Sequence, residues 1–244
     1  WEGTYAWKEG HSTNQGEEGY IVNGILRTQE QLDAYITEHP AMKFFGEDPQ
    51  LGMLIYEDIG RWGTAGEPYY VSEPDGVVDD ADQTWIGGKN GPIFAYGVSL
   101  GGSYKTFRAN MTFSGGFGGS TIMNKDERCA PSAYSNVPSY WTDSWTHENP
   151  DAKYPSVIWS SINQNHSTFW IRSSSVLRLT SIDLSYNMPK EITSRLGVPS
   201  FRVFLTATNL FTLYSDFDYK DANLSRYYDY PLLRTVNLGL NISL

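Results

Sequence analysis

Leu232-Leu-Arg-Thr-Val-Asn-Leu-Gly-Leu-Asn-Ile-Ser-Leu244 is the stretch on which the fold class turns. Val236, Leu238, Leu240, Ile242 and Leu244 fall on one side of an extended chain, and Asn237, Gly239, Asn241 and Ser243 on the other. Successive strand side chains point to opposite faces, so this run is one apolar wall backed by one polar wall. At roughly 3.3 Å per residue it is long enough, when tilted, to cross the hydrocarbon core of a bilayer. The edge of a soluble sandwich has the same alternation, so the run alone leaves both open.

The same pattern recurs upstream. Phe94, Tyr96, Val98 and Leu100 alternate with Ala95, Gly97, Ser99 and Gly101; Phe107, Ala109, Met111 and Phe113 alternate with Arg108, Asn110, Thr112 and Ser114. These two runs predict a hairpin with its turn at Gly102-Ser103. With the later runs, strands are expected at about 93–101, 104–114, 176–187, 201–211 and 232–244. The connections between them alternate: short after Gly101, long after Ser114, medium after Asn187, long after Phe211. The medium one is expected to hold a helical turn over 191–196, closed by Gly197. Outer-membrane barrels alternate short periplasmic turns with long extracellular loops, and a sandwich has no reason to gather its long loops at one end. The expected fold is therefore all-β: the C-terminal strands of a large antiparallel transmembrane barrel, with residues 1–92 as an extracellular loop region and 93–244 as the wall and its loops. A soluble carbohydrate-binding β-sandwich is the alternative.

Within 1–92, Thr28-Gln-Glu-Gln31 has the form of a capping box ahead of a short helix whose Leu32, Tyr35 and Ile36 share a face. That helix must stop before Pro40. Met53 to Asp58 is strand-like, and the first 25 residues and Gly60 to Pro74 read as loop. Trp1-Glu-Gly-Thr-Tyr5 begins in mid-structure, which suggests a piece of a longer protein.

Composition narrows the function. A net charge of −10 argues against a nucleic-acid partner, since phosphate contacts need a basic face. The single Cys129 excludes an internal disulfide framework. His11, His39, His147 and His166 have no metal-ligand spacing. No nucleophile elbow occurs, and Gly115-Gly-Phe-Gly-Gly119 lacks the final glycine and basic residue of a phosphate loop. No pair of carboxylates is singled out, so the chain is not expected to be an enzyme.

Two clusters remain. Asp75-Gly-Val-Val-Asp-Asp-Ala-Asp82 partly matches a calcium loop, with Asp75, Asp79 and Asp82 at its fifth, ninth and twelfth positions, Glu73 at its third and oxygen-less Val71 at its first. Calcium is thus the one cofactor considered. The segment between Gly115 and Ser175 is rich in aromatic residues, and Tyr140, Trp141 and Trp145 are candidates for contact with a substrate or a lid protein, because Trp and Tyr stack on sugar rings and anchor interfaces. Packing within the loop is the other reading of these rings.

A set of motifs in fixed order carries a family resemblance. Gly19-Tyr-Ile-Val-Asn-Gly-Ile-Leu-Arg-Thr-Gln-Glu30, the acidic run 75–82 with Ile86-Gly87, Pro92-Ile-Phe-Ala-Tyr-Gly97, and Trp145-Thr-His-Glu-Asn-Pro-Asp-Ala-Lys-Tyr-Pro155 come first. Ser173-Ser-Ser-Val-Leu-Arg-Leu-Thr-Ser-Ile-Asp-Leu-Ser-Tyr-Asn-Met-Pro189, Thr208-Asn-Leu-Phe-Thr212 and Pro231-Leu-Leu-Arg-Thr-Val-Asn-Leu-Gly-Leu-Asn241 follow. Together they resemble the C-terminal part of SusC/RagA-family TonB-dependent outer-membrane transporters. The acidic run departs from the family pattern, lacking its Asn-Gly and upstream Asp, and Leu244 stands where a terminal aromatic is common. The resemblance implies a plugged barrel of roughly 22 strands in the outer membrane. It also implies import of oligosaccharides or peptides, TonB contacted by an N-terminal part, a SusD-like lipoprotein as lid, and outer-membrane lipid around the wall.

Overall fold

The computed structural model describes residues 17–60, 73–88, 91–129, 138–221, 224, 226 and 228–243. The expectations placed on residues 1–16, on most of the 60–74 loop, and on His11, Val71 and Leu244 fall outside these.

The chain divides into two units. One comprises 1–90, 120–172 and 225–227; the other comprises 91–119, 173–224 and 228–244. The division is not the linear one at 92/93. Residues 120–172 fold with the N-terminal part because their aromatic residues supply much of its core.

The second unit is a five-stranded sheet. Its strands are β1 (Phe94–Tyr104), β2 (Phe107–Phe117), β3 (Val176–Asn187), β4 (Ser200–Ser215) and β5 (Thr235–Ser243). They lie in the order β5-β4-β3-β2-β1, and every neighbouring pair is antiparallel. β3 has the bounds expected of it. The first hairpin differs: its turn is Lys105-Thr106, three residues beyond Gly102-Ser103, with Lys105 at a φ of 53°. Side-chain matching explains the shift. The observed register sets Leu100 against Met111 and Val98 against Phe113, and stacks Phe94 on Phe117 at 5.1 Å. A turn at Gly102-Ser103 would have set Leu100 against Lys105. β4 runs on to Ser215, past Phe211, and β5 starts at Thr235, so Leu232 to Arg234 lie outside it. Between β3 and β4 the helical turn is Lys190–Thr193, shorter and earlier than the 191–196 expected; it ends at Ser194, and Gly197 takes its positive φ of 71° in the turn beyond.

One irregularity keeps the faces consistent. Along β3 the apolar residues are Leu177 and Leu179, then Ile182, Leu184 and Tyr186, so the alternation changes phase at Thr180. The structure absorbs this with a bulge. Met111 and Phe113, two apart on β2, face Ile182 and Leu179, which are three apart on β3. Those in turn face Ala207 and Phe211, four apart on β4, where Asn209 adopts a φ of 54°. Bulges of this kind bend a strand and sharpen its twist.

The first unit is built around Phe44, Met53, Leu54, Tyr56, Val78 and Leu26, all nearly without solvent contact. Its helix α1 (Gln29–Glu38) is capped by Thr28, whose hydroxyl accepts the Gln31 N–H at 3.3 Å. Gln31 reaches one residue further back than a capping box requires and accepts from the Arg27 N–H at 2.9 Å. Leu32 is buried and Ile36 faces outward. Leu54–Tyr56, inside the strand-like run, pairs antiparallel with Val22–Ile25. Lys43–Phe44 and Val77–Val78 form a short parallel pair.

Candidate functional site

The sheet presents two chemically different faces. Cross-strand register lines up Leu100, Met111, Ile182, Ala207 and Val236 in one row, and Tyr104, Phe107, Tyr186, Val203 and Leu240 in another. Between them on the opposite face runs Gly101, Asn110, Asp183, Thr206 and Asn237. Much of the apolar face is open: Leu238 is 73% exposed and Leu240 61%. A sandwich would bury such a face against a second sheet. Among the described residues the other sheets have two strands each, too small to be the second layer of a β-sandwich. Among the described residues β1 and β5 each pair on one side only, leaving a row of backbone donors and acceptors at either edge.

One aromatic residue stands on the polar face. Phe204 faces Gly239, and a Cβ at position 239 would come within 2.2 Å of the Phe204 ring. The glycine makes room for the ring, which in turn lies 5.3 Å from the Arg202 guanidinium.

The acidic run places its carboxylates on backbone N–H groups. Asp75 accepts from the Val77 N–H at 2.9 Å and Asp79 from the Ala81 N–H at 2.8 Å. Asp82, 2% exposed, accepts from Ile59 and Gly60 through one oxygen and from Asp79 through the other. Burial pushes the Asp82 carboxyl up to about 6; the Asp79 and Ile59 N–H groups oppose the rise, and the neighbouring Asp58 carboxylate adds to it. Asp58 itself accepts from the Gly76 N–H at 2.6 Å and the Gly60 N–H at 3.2 Å. These contacts tie 58–60 to 76–82. Among the described residues no three His, Cys, Asp or Glu side chains converge as cation ligands.

The three aromatic candidates are in the interior. Tyr140, Trp141 and Trp145 are 9%, 5% and 4% exposed. The Tyr140 hydroxyl and the Trp141 indole N–H both donate to the Glu127 carbonyl, and the Trp145 indole donates to the Arg27 carbonyl at 3.1 Å. Burial raises the Tyr140 phenol well above its usual value. Tyr140 packs on Tyr154 at 4.7 Å, and Trp141 on Trp170 at 5.9 Å. Side chains this enclosed have little surface left for a ligand, so their placement is that of loop packing.

Sequence reasoning passed over two sites. Asn163 is 1% exposed and central to the first unit. Its Oδ1 accepts the Leu54 N–H at 2.9 Å, and its Nδ2 donates to the Gly52 carbonyl at 3.1 Å and the Ser156 carbonyl at 2.9 Å. Its own carbonyl accepts from the Trp170 indole at 2.7 Å. In the sheet unit, Arg178 of β3 pairs with Asp221 of the β4–β5 connection at 2.6 Å. Arg178 sits between Leu177 and Leu179, so a plain alternation scan notes only that it is polar.

No family model matches the sequence. Two curated proteins of Formosa agariphila do. TonB-dependent receptor P26 is 30% identical over 240 residues, covering 90% of this chain and 22% of that protein. TonB-dependent receptor P3 is 26% identical over 194 residues, covering 72% of this chain and 19% of its own length. The chain thus spans about a fifth of the curated relatives it matches. Solved structures of the RagAB peptide importer share the fold. The open-open state aligns over 94% of this chain and 22% of its own with a TM-score of 0.57 at 18% identity. The closed-closed state aligns over 93% and 23% with a TM-score of 0.56 at 17% identity. Over the part of their length that it spans, this chain is similar in sequence to these TonB-dependent receptors and shares its fold with the RagAB importer.

Proposed function

We propose that the five-stranded sheet is an arc of the barrel wall of an outer-membrane, TonB-dependent nutrient importer. Its apolar face meets lipid and its Asn- and Thr-bearing face lines the lumen. The observation that carries this reading is the open apolar face, continuous across five strands of one sheet with both edges unpaired. Lipid satisfies such a face without a second layer, and further strands would satisfy the edges. The cargo on this reading is an oligosaccharide or peptide, and the working partners are a SusD-like lipoprotein and TonB, the latter engaged by parts of the transporter outside this chain.

The test uses single cysteines in the full-length transporter in outer-membrane vesicles, with Cys129 replaced by Ser. Bimane at Leu238 and Leu240 should be quenched by brominated lipid, while bimane at Asn237 and Asn241 should be quenched by aqueous iodide instead. Equal aqueous quenching at all four positions would refute the assignment.

A further inference from the structure

Among the described residues, two charged contacts tie the connection between β4 and β5 to the start of β3. The Asp216 carboxylate accepts the Ser173 N–H at 2.6 Å, and Asp221 pairs with Arg178 at 2.6 Å. Between the anchors the strap has its own small core. Phe217 is 7% exposed and packs edge-on against Tyr219 at 5.9 Å, with the Lys220 ammonium over both rings. Arg178 lies on the polar face, where its register neighbours are Ser114 and Thr212.

The guanidinium is only partly used. Arg178 is 8% exposed, Asp221 takes Nη2 through Oδ1, and Nε is buried with no acceptor among the described residues. Nε and Nη2 form the edge of the guanidinium that a carboxylate grips with two parallel hydrogen bonds. A buried donor without a partner is costly, so a carboxylate that takes both nitrogens has an advantage over Asp221, which takes one.

We propose that Arg178 is a carboxylate-binding residue held closed by the chain's own Asp221, and that a ligand carboxylate displaces Asp221 and frees the strap. The ligand is a molecule bearing a free carboxylate, either a peptide C-terminus or a uronic acid. The inference rests on the lumenal reading of the polar face for its meaning in transport. The displacement itself is measured without reference to lipid, so it fails or stands apart from the quenching experiment above.

The test is hydrogen exchange of residues 216–221 in the full-length transporter in detergent at fixed ionic strength. The probes are sodium glucuronate and N-acetyl-glycylglycine, each compared with its neutral amide. Asp221→Asn should raise strap exchange by about tenfold without any probe, since it removes a largely enclosed charge-assisted contact. The unmodified protein should show a rise of similar size with a carboxylate probe and none with its amide. Which of the two probes acts identifies the source of the carboxylate. Arg178→Lys keeps a positive charge for Asp221 but has no two-nitrogen edge, and should keep the strap closed with either probe. The proposal is overturned if Asp221→Asn leaves exchange unchanged. It is equally overturned if the unmodified strap ignores both carboxylates, or if the amides act as well as the acids.

Discussion

Replacing Asn163 with Ala should loosen the whole first unit although the residue touches no surface. The substitution strands two buried groups, the Leu54 N–H and the Ser156 carbonyl, and leaves the Gly52 carbonyl with only the Ser156 N–H at 2.8 Å. Leu54 is 0% exposed and Ser156 2%, so water cannot replace the lost partners without opening the core. Each stranded group costs about 1–3 kcal/mol, and partial relaxation around the shortened side chain puts the sum at about 3–5 kcal/mol. At about 1.4 kcal/mol per tenfold, the opening equilibrium should rise between about a hundred and a few thousand fold. The readout is hydrogen exchange at the Leu26 amide in the full-length protein. That amide donates to the Met53 carbonyl at 2.9 Å, in the same peptide group whose N–H Asn163 accepts, so it reports opening of the core beside the lost contact. Asn163→Asp is the sharper control. It keeps the acceptor for Leu54 but turns two donors into an oxygen facing two carbonyl oxygens, and should be at least as damaging at neutral pH. If Leu26 exchange rises less than tenfold in Asn163→Ala, the buried amide is not the staple inferred for it.

Three further outcomes are expected. Gly115→Ala should disrupt the upper β2–β3 ladder, because a Cβ there would stand 1.9 Å from the Val176 carbonyl oxygen; unchanged exchange at the Val176 and Leu177 amides would refute this. Leu238→Arg should destabilise the barrel in liposomes by about 2–4 kcal/mol if the residue lies near the bilayer midplane, and Asn237→Arg by much less, as read by urea unfolding; equal effects would count against the two-faced wall. The Asp82 carboxyl is raised from 3.8 to about 6 in the fold, so the folded unit binds more protons than the unfolded chain between these values. Its contribution is therefore fully present below pH 3.8 and is lost as pH rises through about 6. Urea unfolding followed by Trp fluorescence should show this slope, and Asp82→Asn should flatten it.

The wall was largely legible in the sequence, and the places where it was not are instructive. β3 could be read to the residue because its alternation is bounded by Ser173-Ser-Ser175 and by Pro189, which cannot donate to a ladder. The hairpin turn was misplaced because glycine and serine mark turns statistically, whereas the register is fixed by Leu100, Val98 and Phe94 finding apolar partners across the strand. The first unit was harder. Its chain segments meet across more than a hundred residues, as in the Leu54 to Asn163 contact, and nothing local marks Asn163 as different from any loop asparagine. The aromatic residues of 140–170 were visible, but whether a Trp faces a ligand or a neighbour depends on packing that composition does not encode. Arg178 and Asp221 are 43 residues apart, and only the fold introduces them.

The bulge at Thr180 has a consequence for how such a chain can change its length. A strand has a two-residue reading frame, and Thr180 is the punctuation that resets it between Ile182 and Leu179. Deleting that one residue would shift the frame of everything before it in β3. Leu177 and Leu179 would turn toward the Asn- and Thr-bearing side, and Arg178 would turn outward among the leucines. Single-residue insertions and deletions in the wall are thus frameshifts in space, tolerated only where a second one restores the phase. The connections carry no such frame. Length variation among relatives should collect there, and in the strands it should come in twos.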